Sequence, residues 1–168
     1  MAKKADFTSE EWQRILSLPQ VAALYLALAS PSGPIGLVQE MMASTKGILE
    51  ALKASSGNEL IDAVAADIRE KAEKREKLEP PLKPGNDLNK MKAECVQACR
   101  DVAALLSQKA PADAEPYKRW VYQSAQNSAN AAKEGGVFRI GGQRVSEEET
   151  AALQEIAFAL GISGLSGA

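Results

Sequence analysis

The feature that most restricts this chain is a shortage of β-branched residues beside an excess of alanine and leucine. Its 168 residues include 29 Ala and 17 Leu, against 8 Val, 8 Ile and 3 Thr. Alanine and leucine favour helix, whereas Val, Ile and Thr favour strands. The balance selects an all-α fold, and the apolar residues recur at helical spacing along most of the chain.

Thr8 and Glu11 form a capping box, with Phe7 and Trp12 as its hydrophobic staple. They open a first helix whose buried face is Trp12, Ile15 and Leu16. Pro19 is expected to end or kink that helix and to begin a second over 19–30. Val21, Leu24, Tyr25, Leu26 and Leu28 make the second helix apolar on all sides, which suits the centre of a bundle. Pro34 begins a third helix over 34–55, and Asn58 caps a fourth over 59–78. Asn86 or Asp87 caps a fifth over 87–109, and Pro111 and Pro116 bracket a turn before a sixth over 114–134. Ser146 and Glu149 form a second capping box for the last helix, which Gly161 stops. The expectation is a compact bundle of six to seven helices, orthogonal or up–down. It has a central buried apolar helix and a glycine-bounded loop, carrying Val137, Phe138 and Ile140, before the last helix.

The Pro-rich connection 80–85 is the strongest break. It either divides two helical halves or is a crossover within a single helical domain, 1–168, the preferred reading. Just before it, Arg69 to Glu79 is charged at 9 of 11 positions, the pattern of a solvated helix extending beyond the core.

Composition excludes several functions. There is no histidine, which removes the commonest general base, metal ligand and partner of a Ser or Cys nucleophile. The 20 basic and 22 acidic residues give no basic excess for nucleic acid. The longest uncharged stretch, Ile15 to Gln39, is interrupted by prolines and glycines, so no membrane span is expected. Two cysteines make no disulfide framework, and the first residues lack the apolar core of a signal peptide. A cytoplasmic location follows as an expectation. The alanine-rich helical look is that of small bacterial proteins and assigns no functional residue.

Few motifs in the chain are candidates for chemistry. Cys95 and Cys99 share a helix face and read as small buried hydrophobes, since further metal ligands are lacking. The glycine pairs around Val137 to Ile140 resemble a phosphate loop, but Glu147, Glu148 and Glu149 at the next helix start would repel a phosphate. An EF-hand alignment of the same loop puts Phe138, Ile140 and Gly142 where ligands belong, so calcium is not expected. The carboxylates Glu94 with Asp101, and Asp62 with Asp67, read as surface charges. No catalytic, cofactor-binding or metal-binding residue is assigned.

The sixth helix is the most suggestive segment. Tyr117, Trp120, Val121, Ser124, Ala125 and Ser128 follow helical spacing, while Gln123, Gln126, Asn127 and Asn130 occupy another side. No charge falls between Arg119 and Lys133. An exposed helix normally carries more charge and a buried one fewer amides. An interaction surface is therefore expected from Tyr117, Trp120, Gln123, Ser124, Gln126, Asn127 and Asn130, with Val137, Phe138 and Ile140 of the loop. The preferred function is non-enzymatic: self-association as a homo-oligomer, or docking of a protein partner. The alternatives are a small-molecule pocket with Trp120 and Tyr117 near its mouth, or an enzyme using carboxylate, Lys or Cys groups.

Overall fold

The computed structural model describes residues 2–29, 56–74, 76, 87–135 and 147–162, with 129–135 as backbone only. Five α-helices are found among them: α1 (Ser9–Ala29), α2 (Glu59–Glu73), α3 (Leu88–Lys109), α4 (Pro111–Gly135) and α5 (Glu147–Leu160). A short 3-10 turn, Lys4–Asp6, precedes α1. The described chain is all-helical. The expected third helix, the Pro-rich connection, the loop with Val137, Phe138 and Ile140, and the Ser146 cap lie outside the described residues.

The count of six to seven is not matched. One reason is Pro19, which sits inside a continuous α1 instead of dividing two helices. Proline at this position removes the N–H that would bond the Ile15 carbonyl one turn earlier. That carbonyl belongs to a residue with 0% exposure, so water cannot take over. The missing donor comes from across the bundle: the Tyr117 hydroxyl of α4 donates to the Ile15 carbonyl at 2.5 Å. A helix can pass through proline when a neighbouring helix satisfies the freed group.

The other boundary difference in the second half has a similar cause. α4 begins at Pro111, so the expected Pro111–Pro116 turn is helical. Pro111 occupies the first position, where no donor is needed. Pro116 lies further in, but it and Ala112, whose carbonyl it leaves unbonded, are exposed to solvent. α2 ends at Glu73, short of 78, within the charged run that offers no apolar stripe to hold a further turn.

Local cap chemistry sets the other boundaries. Thr8 N–H donates to Glu11 at 2.8 Å, Glu11 N–H donates to Thr8 Oγ1 at 3.2 Å, and the Phe7 and Trp12 rings lie 6.0 Å apart. Asn58 accepts from the Leu60 and Ile61 amides, and Asp87 from those of Asn89 and Lys90. α5 closes with Gly161 at φ +66°, Gly161 N–H bonded to Phe158 O and Ile162 N–H to Ala157 O. This paired bonding needs a left-handed residue, which glycine adopts without strain.

α1, α3, α4 and α5 all pack against one another, and α2 rests on α1 and α4. α1 touches every other described helix and contributes Ile15, Leu16, Leu18, Val21, Ala22 and Leu26 to one continuous core. Glu11 pairs with Lys109 at 2.6 Å, and Tyr25 lies near Cys95 and Cys99. α1 and α3 therefore run antiparallel.

Two polar ties fasten the residues before α1. Asp113, 2% exposed at the start of α4, accepts from the Ala2 backbone N–H at 2.7 Å and from Asn58 Nδ2 at 2.8 Å. Asp67 on α2 accepts from Trp12 Nε1 at 2.7 Å and Lys4 Nζ at 2.6 Å, and Lys4 lies over the Trp12 ring. Burial pushes the Asp67 carboxyl up, but the bonds from Lys4 and Trp12 outweigh it and hold the group below its ordinary value.

The pairing of Pro19 with Tyr117 is testable. Tyr117→Phe strands the Ile15 carbonyl and should lower stability by about 1–3 kcal/mol. Pro19→Ala restores an amide donor, so Tyr117→Phe should cost clearly less in that background. Denaturant unfolding of both single variants and the double variant measures the coupling, and additive effects would refute it.

Candidate functional site

α4 divides into two faces. Ala114, Tyr117, Val121, Ser124, Ala125 and Ser128 are buried, whereas Glu115, Arg119, Gln123 and Asn127 are exposed. The residues of the expected surface are divided between these two faces. Tyr117 has 0% exposure and is occupied by the Ile15 carbonyl. Ser124 is also buried and donates its hydroxyl to Trp120 O, one turn back in its own helix, while Ser128 donates to Ser124 O. These hydroxyls are satisfied within the monomer, so neither needs a partner. Ala125, also at 0% exposure, belongs to the core.

What remains at the surface is narrower: Gln123 and Asn127 are exposed, and Gln126, Trp120 and Tyr122 are half-buried. Trp120 lies 5.7 Å from the Tyr117 ring, anchoring one edge of this strip to the core. Arg119, at its start, pairs with Glu115 at 2.8 Å. The Asn130 side chain and Val137, Phe138 and Ile140 lie outside the described residues.

A cleft of about 270 Å³ lies elsewhere, between α1 and α3. Its apolar lining comes from Leu18, Val21, Ala98 and Val102. Arg14, Glu94, Gln97 and Asp101 supply the polar part. Trp120 and Tyr117 do not line it, so a pocket with those rings at its mouth is not formed there. Glu94 and Asp101 do meet at one site. The sequence places them two turns apart on one helix, but Arg14, Leu18 and Val21 reach them only through the antiparallel pairing of α1 with α3.

Sequence reasoning missed the Asp113–Asn58 and Tyr25–Glu155 contacts. The Tyr25 hydroxyl donates to the Glu155 carboxylate, and burial followed by that bond raises its pKa. The only local signal for either contact was a polar residue beside an apolar stripe.

Among the described residues, no group of three or more Cys, Asp or Glu could hold a metal ion. Burial, then the neighbouring Glu94 charge, push the Cys95 thiol up to about 12. Burial, then Cys95, bring Cys99 to about 12 as well. Neither thiol has the lowered pKa of an activated nucleophile. No described helix is long and apolar enough to cross a membrane. No protein family, characterised protein or solved structure matches the chain.

The thiols predict a reactivity and a pH dependence. In the folded protein at pH 8, iodoacetamide should modify Cys95 and Cys99 on the order of a hundredfold more slowly than after unfolding. The folded thiols hold their protons more tightly than the unfolded ones. Their contribution to stability is therefore complete below the ordinary thiol pKa of about 8.5 and declines as pH rises towards about 12. Mass spectrometry of timed alkylation tests the first, and unfolding midpoints across alkaline pH test the second.

Proposed function

We propose that the protein is a non-enzymatic binding protein that acts through the outward face of α4, by self-association or by docking a protein partner. The observation that carries this reading is the uncharged surface formed by Gln123, Gln126 and Asn127 beside half-buried Trp120 and Tyr122. Charges are interspersed among the exposed positions of the other helices: Asp62, Arg69, Glu70 and Glu73 on α2, Lys90 and Arg100 on α3, and Glu147, Glu148 and Glu155 on α5. Amides can donate and accept hydrogen bonds across an interface without the large desolvation cost of ions. Aromatic rings at the edge add apolar area to the same patch.

A cytoplasmic location accompanies this reading, since the two free buried cysteines call for no oxidising compartment. The absence of histidine and the raised thiol pKa values favour binding over catalysis through imidazole or thiolate.

Gln123→Glu combined with Asn127→Asp tests the surface. Both residues are exposed, so stability should change by no more than about 0.5 kcal/mol per site. If the protein self-associates, sedimentation velocity should show the wild type above monomer mass and the double variant as monomer. If it docks a partner, cross-links mapped to α4 should disappear in the variant. A monomeric wild type, with cross-links that are absent or unchanged by the substitutions, would overturn the proposal. Bulky substitutions at Ala125 or Ser128 are unsuitable probes, because those sites are buried and overpacking would disturb the fold.

A further inference from the structure

The cleft between α1 and α3 has a charge arrangement that selects among small ligands. The antiparallel pairing sets Arg14 towards the Asp101 end and Val21 towards the Glu94 end. Asp101 already accepts from Gln97 Nε2 at 2.7 Å. Glu94, two turns away, is half-buried. No hydrogen bond or ion pair reaches its carboxylate from the described residues. Seven residues of helix set Glu94 and Asp101 about 10 Å apart along α3. Leu18, Val21, Ala98 and Val102 supply the apolar lining of the same cleft. One cation and two carboxylates leave a surplus negative charge, and the helix pairing puts it at the Glu94 end.

We propose that this cleft binds a small primary ammonium with an apolar body, its cationic head on Glu94 and its hydrocarbon against Leu18, Val21, Ala98 and Val102. A carboxylate that loses water gains most from a cationic hydrogen-bond donor. The volume of about 270 Å³ lies just below the roughly 300–1,000 Å³ of pockets for drug-sized ligands, which fits a small alkyl or aryl amine. Arg14 lies towards the Asp101 end of the cleft, so a second ammonium on the ligand gains little there. None of the lining residues belongs to α4. The site and its test are therefore independent of the proposed interaction face.

The full chain, isotope-labelled, should be titrated with n-hexylammonium while backbone resonances are followed, with n-hexanol and hexanoate as comparators. Saturable shifts should centre on Leu18, Val21, Ala98 and Val102. Each comparator should bind about tenfold more weakly or worse, equivalent to about 1.4 kcal/mol. Glu94→Gln should weaken hexylammonium by about tenfold with an unchanged melting temperature, and Asp101→Asn by less than about threefold. No saturable shift at the cleft, hexanol binding as well as the ammonium, or Glu94→Gln leaving the affinity intact would each overturn the proposal.

Discussion

The bundle depends on one hydrogen bond between helices that are distant in sequence. α1 is the element every other described helix touches, and Pro19 lies in the middle of it. An unsatisfied carbonyl at Ile15 would favour a break there, because a buried acceptor without a donor costs about 1–3 kcal/mol. Tyr117 supplies the donor from a site with 0% exposure. The same contact satisfies the carbonyl that Pro19 frees within α1 and ties α4 to α1 with Tyr117 on the inward face of α4. Since Tyr117 faces the core, helical geometry sends Gln123 and Asn127 to solvent. The candidate interaction face follows from the repair of a proline.

Much of the architecture was legible because it rests on local interactions. Thr8 with Glu11, Asn58, Asp87 and Gly161 all mark boundaries that neighbouring residues determine. Pro19 was misleading for the complementary reason. Its local effect is to break a helix, whereas its compensating partner is 102 positions away from Ile15. On α4, Tyr117 and Ser124 were legible as part of a helical stripe, but the sequence did not decide between core and interaction surface for them. A hydroxyl on a helix looks the same in sequence whether it points to a partner, to a carbonyl one turn back, or to a neighbouring helix. The amides Gln123 and Asn127 lie on the other face and were separable by periodicity alone.

The cleft shows the same limit. Glu94 and Asp101 could be placed on one side of α3 by counting residues. Nothing nearby in sequence says that Leu18 and Val21 lie across from them. Pairing two helices requires the whole core, and the charge on one helix acquires meaning only against the apolar lining supplied by the other. The two candidate surfaces also differ in chemistry. The α4 face offers uncharged hydrogen-bonding groups over an open strip, whereas the α1–α3 cleft offers a surplus carboxylate beside an apolar recess.

Asp113 has a consequence for the order in which the molecule can form. Ala2 precedes by 111 residues the buried carboxylate that holds its amide. Asn58, the cap of α2, waits for the same carboxylate. During synthesis, Ala2 and Asn58 can therefore form these two bonds only once the first turn of α4 has emerged. Contacts of such long sequence separation slow folding, since the intervening chain must be ordered before they form. In a bundle built mostly from quickly formed helices, the tie at Ala2 is among the last to be secured.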